Sequence, residues 1–143
     1  MAHTIVAEGL HNREFLARRG DGAEAFIQFI ATWPPERAAV ICGVGADRIR
    51  QAARLYATHS PAMSAHGLGL TEHVQGTDGV IALINLALLI GNLGKPGSGV
   101  NPLRGQNNVQ GAAHMGCDPA TLPGSTPIER GRDAFARRWG API

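Results

Sequence analysis

The sequence predicts an α/β fold in which helices dominate, and three observations carry that expectation. Residues from about 1 to 60 hold several segments with helical periodicity and helix-ending residues. One short run, Ala62–Leu68, reads as a strand ending at Gly67-Leu68-Gly69, and the strongly apolar segment Thr77–Leu93 follows it. A strand, a glycine turn and a helix in that order build a ligand site at the carboxyl end of the strand. Gly91–Asp118 then gathers glycines, side-chain amides and one arginine without hydrophobic periodicity, before a last helix. One strand makes no sheet by itself. The 143 residues therefore read as one partial domain: helical over about 1–60, strand, turn, buried helix and polar loop over about 61–125, helix over about 126–140.

Each element has its own signal. Ala23–Trp33 places Phe26, Ile27, Phe29 and Ile30 on a helix that Pro34-Pro35 stops. Pro35-Glu36-Arg37 opens a short helix through Cys42, which Gly43 ends. In Ala46–Ala57, Ile49, Ala52, Ala53 and Tyr56 form one apolar stripe with Arg48, Arg50 and Arg54 outside it. Ser60-Pro61 breaks the chain before the strand. Thr77–Leu93 is apolar nearly all round, the pattern of a buried helix, with Thr77 or Asp78 as its cap and Gly91 and Gly94 at its end. Thr126-Pro127-Ile128-Glu129 reads as a capping box that opens a basic amphipathic helix to Trp139.

Composition excludes several classes. A hydrophobic share of 44% argues against disorder, and a net charge of +2, with acids scattered among the bases, gives no field for nucleic acid. Aromatic residues are too sparse, at 5%, to form a base-stacking surface. Cys42 and Cys117 lie far apart with no CxxC pair, so reduced thiols are expected. The longest apolar stretch, Val80–Leu89, is well short of the ~20 residues a spanning helix needs. No apolar core follows Met1, and Arg18-Arg19 leads into GDGAEAF rather than a hydrophobic run. A cytoplasmic location is expected, with neither nucleic acid nor membrane as a partner.

Most short motifs fail on inspection. AVICGVG before a helix imitates a dinucleotide fingerprint, but Arg48 stands where the third glycine belongs and no acidic residue ends a later strand. Gly94-Lys95 would complete a phosphate loop only with Gly at position 89 and Ser or Thr at 96; the chain has Leu89 and Pro96. His114-Met115-Gly116-Cys117, with His66 and His73 upstream, offers ligand types without a second close-spaced pair, which argues against zinc. No nucleophile elbow is present. Arg104 with Gln106, Asn107 and Asn108 remains. Taken alone, these residues are either a solvated arginine beside turn-holding amides or a grip for an anion or a polar cofactor. Their physics does not name the ligand.

The run GLGLTEHVQGTDGVIALINLALLIGNLGKPGSGVNPLRGQNNVQGAAHMG resembles the catalytic subunits of molybdopterin-dependent formate dehydrogenases, in the molybdenum or tungsten bis-(molybdopterin guanine dinucleotide) oxidoreductase superfamily. NPLRGQNNVQG carries the likeness to formate dehydrogenases, and the apolar helix followed by GNLGKPG is shared more widely. Weaker likeness runs back through Ile41-Cys42-Gly43-Val44 and IRQAARLYA, so it covers the whole chain but only a middle part of such a subunit. The resemblance implies a helix-rich fragment of the central α/β region of a molybdopterin oxidoreductase. It also implies oxidation of formate to carbon dioxide in the complete enzyme.

Carried over residue by residue, the resemblance makes Arg104 and Gln106 catalytic: Arg104 orients formate, and Gln106 orders the pocket. It assigns Gly67, Leu68, Gly69, Glu72, Gln106 and Asn107 to the cofactor. Leu68 and Glu72 stand where the family uses Met and Gln. Glu72 is a departure, because a carboxylate there repels a pyrophosphate unless it is protonated or turned away. No metal ligand is expected within the chain. The family's cysteine or selenocysteine ligand, catalytic lysine and iron–sulfur cysteines lie upstream, and Met1-Ala2-His3 reads as an internal stretch. The partners implied are formate, the remaining parts of the catalytic subunit and an electron-transfer partner, with an iron–sulfur cluster bound outside these residues. The isolated chain is expected to be inactive. The alternatives are a stand-alone pterin-nucleotide-binding or assembly module and a non-functional truncated remnant.

Overall fold

The computed structural model describes Met1–Ile143 and opens with five helices: α1 (Ala2–Ala7), α2 (Arg13–Arg19), α3 (Ala23–Ala31), α4 (Pro35–Cys42) and α5 (Ala46–Thr58). Local chemistry sets their ends. The Asn12 side chain accepts the Phe15 N–H at 2.9 Å and caps α2. Pro35 pre-sets the first turn of α4, and Gly43 ends it at φ +71°, a conformation a side chain disfavours. Because Pro35–Cys42 is a helix, AVICGVG has no strand to present, and the dinucleotide reading falls on structure as well as on spacing. The chain divides into two compact units, Met1–Leu103 and Arg104–Ile143.

The core of the first unit is helical. Ile5 of α1, Leu16 of α2, Ile30 of α3, Ala53 of α5, and Leu89 and Ile90 pack together in one cluster. Beyond α5 the chain forms β1 (Met63–His66), the single turn α6 (Leu68–Thr71), α7 (Gly76–Leu89) and β2 (Gly99–Pro102). β1 and β2 pair in parallel, from Met63↔Gly99 to His66↔Pro102, and the intervening segment supplies the crossover that parallel pairing requires. This corrects the expectation of an unstructured stretch from Gly91 to Asp118. Gly-Val-Asn-Pro carries one apolar residue and a proline, so β2 has little propensity of its own, and pairing with β1 makes it a strand.

Two further expectations change at α7. The helix begins at Gly76 behind Gln75, with no side-chain cap, so neither Thr77 nor Asp78 is the cap. Asp78 instead sits in the first turn, where a negative charge suits the helix dipole. The helix is also less buried than its composition suggests. Gly76, Ala87 and Leu89 are buried, whereas Ile81 is 48% exposed.

The second unit contains α8 (Val109–His114), the two-residue strands β3 (Thr121–Leu122) and β4 (Thr126–Pro127), and α9 (Ile128–Trp139). α8 also falls within the stretch read as loop. β3 and β4 pair antiparallel, and that pairing overrides the capping box expected at Thr126. The Thr126 hydroxyl donates to the Pro123 carbonyl at 3.3 Å, and α9 starts behind Pro127 with no side-chain cap. Gly131 is buried where α9 meets the hairpin, and Phe135 packs edge-on against Trp139 with ring centres 5.0 Å apart. No helix is long and apolar enough to cross a membrane.

Candidate functional site

In the first unit, the residues assigned to the cofactor follow directly from the carboxyl end of β1. The His66 carbonyl accepts the Leu103 N–H at 2.7 Å, which extends the strand pairing by one residue. Gly67 then runs in extended conformation into α6. The Glu72 N–H donates to the Leu68 carbonyl at 2.9 Å, and His73 Nε2 hydrogen-bonds the Gly69 carbonyl at 2.8 Å. These bonds hold Gly67, Leu68, Gly69 and Glu72 along one short turn. A Cβ placed at Gly67 would meet only the Leu103 carbonyl, at 3.6 Å, and one at Gly69 would meet nothing within 4 Å. Leu68 is partly exposed, and the exposed Glu72 carboxylate has no hydrogen-bond partner in the protein.

Two supports of this strand end were not singled out in the sequence. Tyr56 Oη and Ser64 Oγ lie 2.8 Å apart and join α5 to β1. Asn92, wholly buried just after α7, accepts from Ser60 Oγ at 3.1 Å, and Ser60 Oγ in turn accepts from Lys95 Nζ at 2.7 Å. That relay ties the end of α7 to the start of β1. An asparagine behind a long apolar helix was the available signal, hidden among the other amides of its stretch.

In the second unit, Arg104, Gly105, Gln106 and Asn107 are all exposed. Arg104 forms no ion pair, and the side chains of Arg104, Gln106 and Asn107 make no hydrogen bonds within the protein. The Gln106 carbonyl accepts the Val109 N–H at 3.4 Å, so its backbone belongs to the turn that enters α8. Asn108 is left-handed at φ +53°, a region asparagine tolerates better than most residues, and its side chain crowds Gly111. The sequence-assigned residues are thus divided: Gly67, Leu68, Gly69 and Glu72 lie in the first unit, and Arg104, Gln106 and Asn107 in the second.

The other chemistry-bearing groups lie elsewhere. No three His, Cys, Asp or Glu side chains gather to hold a metal ion. Cys42 and Cys117 are free, exposed thiols. Arg54 holds the Glu8 carboxyl below its ordinary range through two hydrogen bonds of 2.8 Å, joining α1 to α5. A single hydrogen bond from Arg50 likewise holds the Glu36 carboxyl below its ordinary range and joins α4 to α5. Both are exposed structural pairs. A cleft of about 460 Å³ opens between α2 and α3, lined by His11, Arg13, Leu16, Ala23, Glu24 and Ile27, and none of the assigned residues lines it.

Residues 1–130 match the family model Molybdopterin oxidoreductase, and the chain belongs to that family. It is similar to formate dehydrogenase H of Escherichia coli, 46% identical over 142 residues, which cover 98% of this chain and 20% of the relative. The F420-dependent formate dehydrogenase subunit alpha of Methanocaldococcus jannaschii is 42% identical over 139 residues, covering 97% of this chain and 21% of that protein. A nitrate reductase of Synechocystis is 33% identical over 129 residues, covering 90% and 18% respectively. The chain spans about a fifth of the length of the curated relatives it matches.

Proposed function

We propose that this chain supplies the formate-orienting and cofactor-facing part of a formate dehydrogenase-like catalytic subunit. The observation that carries the reading is Arg104: an exposed guanidinium in RGQNN, with no carboxylate partner and with free amides beside it. Its parallel N–H donors match both oxygens of formate. They hold the carboxylate in one orientation while Gln106 donates or accepts beside it.

The donor chemistry also fits a pterin nucleotide. Carboxamides not engaged inside the protein can take up phosphate and carbonyl oxygens, and the open space beside Gly69 admits a ligand that a side chain would crowd. Gly67, Leu68, Gly69, Gln106 and Asn107 would hold it. The unpaired Glu72 carboxylate is the one misfit to a pyrophosphate and belongs turned away from it. When bound as the bis-guanine dinucleotide form, the molybdenum or tungsten cofactor supplies the two-electron chemistry, with an iron–sulfur cluster and an electron-transfer partner outside these residues. A cytoplasmic setting accords with the two exposed free thiols.

The test is a transplant. The part of this chain that aligns with the Escherichia coli relative replaces the matching segment there, and formate-dependent dye reduction is measured. The chimera is expected to oxidise formate, and Arg104→Ala to lower kcat/KM by about 10²-fold, the scale for one charge-stabilising donor. Arg104→Lys fails to restore it, because an ammonium cannot make the paired contact. An Arg104→Ala chimera within twofold of its parent overturns the reading, and so does formate oxidation by the isolated 143-residue chain. A stand-alone pterin-nucleotide-binding module is the second reading, favoured by the first unit having its own helical core. It requires the purified chain to bind guanine nucleotide more tightly than its Arg104→Ala variant does.

A further inference from the structure

We propose that His66 is an additional cofactor-contact residue, donating its Nε2–H to an oxygen acceptor of the bound pterin nucleotide. The proposal rests on the functional reading above and extends it to a residue outside the glycine turn. The position carries the first part of the argument. His66 is the last residue of β1, half-buried, and immediately precedes Gly67. Ligands of parallel α/β folds bind outside the carboxyl ends of strands, at this level of the sheet. The backbone of His66 is already fixed there, since its carbonyl takes the Leu103 N–H at 2.7 Å.

The ring supplies the second part. Its Nδ1 is buried and has no hydrogen-bond partner. A neutral imidazole carries one donor and one acceptor nitrogen. An Nδ1–H buried there without an acceptor would carry the full desolvation cost of an unpaired donor. The proton of the neutral ring therefore belongs on Nε2, which leaves a fixed donor at the less buried side of the residue. His73 makes the contrast. Its Nε2 is engaged with the Gly69 carbonyl at 2.8 Å and holds the turn, whereas no protein group hydrogen-bonds either nitrogen of His66. A donor at a strand end, with no partner in the protein, fits an oxygen acceptor brought by a ligand. A pterin carbonyl and a nucleotide phosphate both provide one.

The test uses the transplanted enzyme and reads cofactor retention as well as activity. His66→Leu removes the donor, and His66→Gln returns an N–H near the Nε2 position. Pterin and metal content are measured after prolonged dialysis, beside the denaturant midpoint of each protein. His66→Leu is expected to lose cofactor roughly tenfold faster than the parent, the loss of one hydrogen bond. His66→Gln is expected to stay within twofold of the parent, and the three proteins freed of cofactor to share one unfolding midpoint. Equal retention by His66→Leu and the parent overturns the proposal. Equal loss by the Leu and Gln variants also overturns it, because ring packing then matters rather than the donor. A lowered midpoint in cofactor-free His66→Leu assigns the donor to flanking polypeptide instead and overturns it too. A parent chimera that holds no pterin refutes the functional reading itself and is recognised before either variant is made.

Discussion

Exchanging Gly76 for alanine should destabilise the first unit, although helix propensity alone predicts the reverse. Gly76 is the buried first residue of α7, and its φ is not positive, so alanine suits the backbone and propensity favours it by up to ~1 kcal/mol. The obstacle is space. A Cβ there would lie 2.8 Å from the Thr71 carbonyl carbon and 3.2 Å from its Cα, against about 3.5–4 Å for ordinary carbon contacts. Backbone cannot swing aside as a side chain can, so the joint between α6 and α7 must open. Overpacking of this kind costs about 1–3 kcal/mol, which leaves a net loss on the order of 1–2 kcal/mol. With a urea slope of about 2 kcal/mol/M, the midpoint falls by roughly 0.5–1 M. Gly69→Ala is the control. It lies in α6, also without positive φ, with nothing within 4 Å of the added methyl, so its midpoint should hold or rise slightly. Urea unfolding of the 143-residue chain, followed by far-UV circular dichroism, compares the two directly. Gly76→Ala unfolding at or above the parent midpoint would refute the reasoning. In the transplanted enzyme Gly69→Ala adds a further contrast: fold retained, pterin content lowered.

Leu89→Ala should cost about 3–5 kcal/mol, because Leu89 is 2% exposed within the helical cluster and truncation leaves a cavity; a melting temperature within a few degrees of the parent would contradict that. The Glu8–Arg54 pair predicts a pH dependence. The folded-state pKa of Glu8 is depressed, so the pair stabilises above the unfolded value of about 4.3 and its contribution is lost as pH falls through the folded value. Arg54→Met should therefore flatten the decline of the urea midpoint between pH 7 and pH 3, leaving the share due to Glu36 and Arg50; an unchanged profile counts against the pair. Hydrogen exchange should find the β1–β2 amides less protected than those of α5, and equal protection would show that the sheet opens only with the core.

The helices were legible where their signals are local. Pro34-Pro35, Gly43 and the Ile49–Tyr56 stripe fix α3, α4 and α5 within two residues of the observed ends. The strand at β1 was also legible from the Ser60-Pro61 break and Gly67 that bound it, but Leu68, expected as its last residue, opens α6 instead. β2 was not, since a four-residue strand containing a proline owes its state to a partner more than 30 residues away, and no local pattern records that. Thr126 failed for a related reason. Its capping-box spacing is genuine, but a hairpin with Thr121–Leu122 claims its backbone. Family membership was legible through NPLRGQNNVQG. The buried Asn92 relay and the hold of His73 on the Gly69 carbonyl were not, because nothing in the sequence says which atom of an asparagine or histidine finds a partner.

The first unit separates what holds it together from what it presents. The buried cluster draws on α1, α2, α3, α5 and the end of α7, and no residue of β1 or β2 belongs to it. Met63 is 59% exposed, and two strands of four residues add little stability of their own. The pairing has a different consequence. A register slip of one residue would move β2 by about 3.3 Å along β1 and turn each of its side chains to the opposite face. The Leu103 N–H would then lose the His66 carbonyl. Substitutions in the helical cluster should therefore unfold the unit, whereas substitutions in the strands should misplace Gly67 and Leu103 within a unit that remains folded. The cofactor contact proposed at the strand end depends on the second property. It calls for a fixed register at the carboxyl end of β1, supplied by four paired residues and the Tyr56–Ser64 bond and supported by a core built elsewhere in the unit.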